Sequence, residues 1–136
     1  MPADPARVRF FVDESALGLG KALAIARDDV IHTGHPLIPE VPLGALDTVW
    51  IPEVSGRRLV VIARDRHIRT KPAERALLRA HGLRVLWIGG RRDLATWDYL
   101  VRVVRHWDAI EEALDTRGAG PWFVAINQHG LVEIPV

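Results

Sequence analysis

Two short runs constrain what this chain can fold into more than anything else in it: "VRFFVD", ending in Asp13, and "RRLVVIARD", ending in Asp65. Each has a β-branched or aromatic middle without a polar side chain, the pattern of a strand buried on both faces. Each then surfaces in a carboxylate. A third run, "LRVLWIGG" from Leu83 to Gly90, reads as a strand by the same criterion.

The stretches between these runs are helical in pattern. Ser15 sits where a helix N-cap would, and Ala16 to Ala26 follows as a small-residue helix. Gly18 and Gly20 would each cost that helix roughly 1 kcal/mol against alanine, so either the helix starts late or a neighbouring backbone needs a close approach. "DDVIHTG" reads as a shorter strand, and "HPLIPEVPLG", with three prolines in ten residues, reads as a loop. "ALDTVWIPEV" reads as a helix with Leu46, Val49 and Trp50 on one face, kinked or ended by Pro52. "KPAERALLRAHG" is a helix with Pro72 at its start, Leu77 and Leu78 facing inward, and Gly82 as its stop. Asp93 would cap the longest helix, about Leu94 to Leu114, in which Trp97, Leu100, Val101, Val104, Trp107 and Ile110 recur at helical spacing and read as core. The tail reads as two strands around "NQHG".

Strands alternating with helices imply a mainly parallel sheet covered on both faces. In such sheets the carboxyl ends of the strands form the binding crevice. Asp13 and Asp65 therefore arrive at the same rim.

The 136 residues suit a single domain over 1–136. With 49% apolar and 26% charged residues the composition is that of a globular chain. No cysteine is present, which excludes disulfides, thiolate metal sites and a cysteine nucleophile, and fits a reducing compartment. No apolar run approaches the roughly 20 residues of a membrane span, and no signal peptide is recognisable, so a cytoplasmic protein without membrane association is expected. Charge is unevenly spread: from Arg57 to Arg92 eleven Arg or Lys face two acids, a balance of +9, which leaves seven basic and fifteen acidic residues, −8, elsewhere. A basic block of that size attracts phosphate backbones.

Carboxylates gathered at one rim repel one another unless a cation neutralises them. Oxygen ligands suit Mg²⁺ or Mn²⁺, which lowers the pKa of a bound water and supports displacement at phosphorus. Asp13 and Asp65 are the paired candidates, Asp47 leans in from the helix after the proline-rich loop, and Glu14 is a fourth acid unless it only decorates a helix N-terminus. "GLGK" from Gly18 fits neither a Walker loop nor a dinucleotide fingerprint. "HTGH" lacks further ligands for zinc and reads as a surface loop. The glycines at 89 and 90 could cradle a phosphate or simply form a turn.

"FFVDES", Asp47 followed by "TVWIPEV", and above all "VVIARDRHIRTKPAERALLRAHGLRVLWI" resemble the PIN-like domains of the VapC-toxin-related group, over roughly Arg7 to Leu114. The resemblance implies a three-layer α/β/α sandwich and a Mg²⁺- or Mn²⁺-dependent endoribonuclease, the toxin of a type II toxin–antitoxin pair with a cognate antitoxin as partner. It maps catalysis and metal ligation onto Asp13, Asp47 and Asp65. Glu14 stands where relatives often carry Asn, and Asp93 is another candidate for the usual fourth acid.

Beside that resemblance, Arg64, Arg66, Arg69 and Lys71 flank Asp65 as candidate RNA-binding cations, since Arg engages phosphate oxygens bidentately. A homodimer is left open. Two other classes compete. A catalytically silent nucleic-acid or partner-binding module would bind RNA without cleaving it. A receiver-type signalling domain would need a Lys after its last strand, and no Lys lies beyond Lys71.

Overall fold

The apolar runs become the inner strands of one six-stranded sheet in the computed structural model, which describes residues 3–136. The strands are β1 (Phe10–Val12), β2 (Val30–His32), β3 (Val60–Ala63), β4 (Arg84–Ile88), β5 (Trp122–Asn127) and β6 (Gly130–Ile134). They lie in the order β2-β1-β3-β4-β5-β6, all parallel except β6, which pairs antiparallel with β5 around the turn at Gln128 and His129. The helices are α1 (Leu17–Ala26), α2 (Asp47–Gly56), α3 (His67–Thr70), α4 (Pro72–Ala80), α5 (Thr96–Arg105) and α6 (Trp107–Arg117).

Because successive strand residues face opposite ways, the parallel strands feed two cores. Phe10, Val12, Val60, Ile62, Val124 and Ile126 pack under α1, α5 and α6, whereas Phe11, Ile31, Val61, Val85 and Phe123 pack under α2, α3 and α4. This is the expected α/β/α sandwich with a mainly parallel sheet.

The glycines of α1 answer to close approach. A Cβ on Gly20 would lie 2.8 Å from that of His32 and 3.0 Å from that of Val12, and one on Gly18 would lie 2.5 Å from Thr96 Oγ1. Other expectations need correcting. Pro52 does not end helix α2, which continues through it to Gly56. Its buried face is Trp50, Ile51 and Val54, while Leu46 and Val49 are exposed. The long helix expected from Leu94 to Leu114 is two helices that break at His106. Trp97 is 70% exposed and Val101 and Val104 are exposed too, with Tyr99 and Val103 buried in their place, while Ile110 is buried as expected and Leu100 and Trp107 pack against the core. A stripe chosen from Trp97 is rotated by about two residues, roughly 200°, from one chosen on Tyr99. Asp93 caps nothing, since α5 begins at Thr96 with Ala95 as its N-cap.

Candidate functional site

The site starts with strand register. Val12 of β1 lies opposite Ile62 of β3, and the Asp13 amide donates to the Ile62 carbonyl at 3.1 Å, so the ladder runs on to the first acid. Asp65 follows β3 two residues beyond its end, on the neighbouring strand. The proline-rich loop after β2 is anchored by buried Ile38 and Val41 and delivers Asp47 as the first residue of α2. Asp13, Glu14, Asp47 and Asp65 thus line one open cavity of about 410 Å³ at the carboxyl rim.

Each acid is held through one oxygen. Ser15 Oγ donates to Asp13 Oδ1 at 2.5 Å. The Trp50 indole, stacked on Phe11, donates to Asp47 Oδ1 at 2.8 Å. The His67 amide donates to Asp65 Oδ1 at 2.8 Å. The Gly44 amide donates to Glu14 Oε1 at 2.6 Å. The Ser15 backbone also hydrogen-bonds the Asp13 carboxylate, whereas the second oxygens of Glu14, Asp47 and Asp65 have no hydrogen-bond donor among the described residues.

Ser15 is the link that the sequence reading missed when it took the residue for a helix cap. Its Oγ also accepts the amides of Arg64 at 2.9 Å and Asp65 at 3.0 Å, tying the end of β1 to the end of β3. The only signal for this role was a hydroxyl two residues after an acid. Asp13 is the N-cap residue of the short 3-10 turn over Glu14–Ala16.

Asp13 is 8% exposed, and burial first, then the charges of Asp65 and Asp47, push its carboxyl up to about 7, against the opposing hydrogen bonds from Ser15. The rim therefore holds more negative charge than it can comfortably ionise. A cation would offset this, and an all-oxygen donor set matches Mg²⁺ or Mn²⁺ in kind. Among the described residues no three His, Asp or Glu side chains form a ready-made coordination cage. That arrangement fits a cation that takes one or two carboxylates and keeps several of its waters.

The expected basic residues separate into two groups. Arg64 is largely buried and turns inward, donating to the carbonyls of Ile88 at 2.9 Å and Arg92 at 3.0 Å. Arg69 lies over the Phe123 ring. Lys71 is exposed at the start of α4 but does not line the cavity. Arg66 is exposed: with Arg64, His67, Arg91 and Asp93 it lines a second cavity of about 350 Å³, which shares Ser15 and Asp65 with the acidic one. Asp93 thus sits on the basic side, 3.8 Å from Arg64 Nε, and Glu14 is the fourth acid in the acidic cavity. Arg91 went unread because it lies 26 residues from Asp65 in the chain. The paired glycines lead out of β4: the Gly89 carbonyl accepts from Arg102, a Cβ on Gly89 would meet Asn127, and Gly90 lines the basic cavity.

Of the six-stranded sheet and its rim, residues 8–90 match the model of a family described as a PIN like domain. Neither a curated protein nor a solved structure matches the chain.

Proposed function

The chain belongs to the PIN-like domain family, and on that premise we propose that it is a divalent-cation-dependent endoribonuclease, of the kind found as the toxin of a type II toxin–antitoxin pair. The observation that carries this reading is the convergence of Asp13, Asp47, Asp65 and Glu14 on one rim cavity that adjoins a basic one. Asp13 and Asp65 would hold Mg²⁺ or Mn²⁺ directly, with Asp47 facing it across the cavity through the ion's waters; the ion when bound supplies an acidified water and charge stabilisation at phosphorus. Ser15 ties the Asp13 carboxylate to the backbone of Asp65. Arg66 and Arg91 hold the phosphate next to the scissile one, so that the RNA strand crosses from the basic cavity to the acidic one over the Ser15–Asp65 wall.

The test is cleavage of mixed cellular RNA with Mn²⁺, beside the same assay in chelator and with Asp13→Asn and Asp65→Asn. Metal-dependent cleavage that each substitution lowers at least a hundredfold is the expected result, and cleavage that survives either treatment refutes the reading. Growth arrest on expression, relieved by a co-expressed neighbouring gene product, tests the toxin assignment. The lack of a closed ligand set among the described residues favours one second reading, a silent RNA-binding module. That reading predicts RNA binding without cleavage and without response to chelator.

A further inference from the structure

The rim opposite the acids is built from two helix ends that close in the same way. At the end of α2 the Leu59 amide donates to Val54 at 3.1 Å and the Arg58 amide to Ser55 at 2.9 Å. At the end of α4 the Leu83 amide donates to Leu78 at 3.0 Å and the Gly82 amide to Arg79 at 3.3 Å. This cap needs a left-handed residue after the helix, usually glycine. Gly82 fills that place in α4 at φ +59°, but α2 uses Arg58 at φ +58°, the one non-glycine residue with positive φ among the described residues. Ser55 Oγ donates to the His81 carbonyl and fastens one cap to the other.

Between the caps lies a cavity of about 400 Å³ lined by Arg58, His81 and Arg84 and by no acid. Gly120 closes it against Gly82, where a Cβ would lie 2.1 Å from the Gly82 oxygen. The nearby acids Glu40 and Glu53 are taken by Arg57, at 2.8 and 2.9 Å. Arg84 donates Nη2 to the Arg58 carbonyl, and its other nitrogens, the Arg58 guanidinium and the His81 ring have no acceptor among the described residues. Burial lowers the pKa of Arg84, with no anion to oppose it. The carboxyl ends of α2 and α4 contribute about half a negative charge each, which falls short of two guanidinium groups. The cavity therefore keeps unbalanced positive charge, and the strained backbone at Arg58 retains an arginine where glycine would sit without cost.

We propose that this cavity is a binding site for a phosphate group, free or as the terminal group of a nucleotide, with Arg84 and Arg58 as its charge-assisted donors. It lies at the amino ends of β3 and β4, roughly the 13 Å length of β3 from the acidic rim, so it is separate from the proposed nuclease centre. Its volume is at the low end for small-molecule sites.

Calorimetric titration in chelator with inorganic phosphate, AMP and adenosine tests it on the wild type, Arg58→Gly, Arg84→Gln and Arg66→Ala. Saturable one-to-one binding of phosphate or AMP, none of adenosine, and about tenfold or greater weakening in Arg58→Gly and Arg84→Gln are expected. Tighter binding of AMP than of phosphate would identify the nucleotide as the source. Arg66→Ala removes a phosphate contact of the basic rim cavity and so reports any binding there, while the affinity of the cavity at the opposite rim stays in place. Arg58→Gly should melt no lower than the wild type, because glycine suits that backbone, which separates lost binding from lost folding. No saturable binding of either anion, unchanged affinity in Arg58→Gly, or loss in Arg66→Ala would overturn the proposal, the last by placing the anion at the acidic rim.

Discussion

Asp13→Asn should stabilise the protein at pH 8 in chelator even though it removes a residue proposed to be essential. The Asp13 carboxyl ionises near 4 in an unfolded chain but is pushed up to about 7 in the fold, mainly by burial and then by Asp65 and Asp47. Between those values the folded state holds a proton that the unfolded state has released, so stability falls as pH rises from about 4 to 7. At 1.36 kcal/mol per pH unit the full cost is at most ~4 kcal/mol. Asparagine keeps the shape and the contact with Ser15 and carries no charge. For a chain of this length, ~3 °C per kcal/mol gives a melting temperature up to ~10 °C higher for the variant at pH 8, with the gap closing near pH 4. Added Mn²⁺ should raise the wild type and leave Asp13→Asn where it was, since a ligand of the folded state stabilises only where it binds. Calorimetric melts at the two pH values, with chelator and with Mn²⁺, check this. A variant no more stable than wild type at pH 8 in chelator would refute the charge argument, and a wild type indifferent to Mn²⁺ would refute the cation.

Ser15→Ala removes a hydroxyl that serves Asp13, Arg64 and Asp65 at once. A loss of ~1–3 kcal/mol in urea denaturation and weaker Mn²⁺ binding are expected, the second because the Asp13 carboxylate loses its anchor and the Asp65 backbone its tie to it. Arg64→Ala should lower stability by ~1–3 kcal/mol through its two carbonyl contacts. Arg66→Ala should instead leave the melt unchanged and weaken RNA binding in a salt-dependent way, as measured by fluorescence anisotropy. Gly20→Ala forces a methyl group into Val12 and His32 and should cost ~1–3 kcal/mol in the same denaturation assay.

The strand cores and the acids at their ends were legible because a strand buried on both faces leaves a continuous apolar run, and a charge that ends such a run marks where the strand reaches water. Asp13 and Asp65 were placed on one rim by that logic alone, and β3 lies beside β1 as it requires. The α5 stripe was misread because Trp97 is apolar while Tyr99 carries a hydroxyl. In the fold Tyr99 is buried and its hydroxyl accepts the Leu94 amide. Composition ranks such residues by solvent preference, and a single hydrogen bond reverses the rank.

Side-chain direction was the harder part. Arg64 and Arg66 are two residues apart and both border the basic cavity, yet one is bound to backbone carbonyls and the other is exposed. What the sequence alone determined is the alternation of strands and helices, the family motif and the acids at strand ends, because these depend on local periodicity and on the chain's own order. The pairing of Ser15 with Asp65, of Arg66 with Arg91, and of Arg58 with Arg84 was decided only by the tertiary structure, because each joins segments whose approach depends on strand order and loop packing.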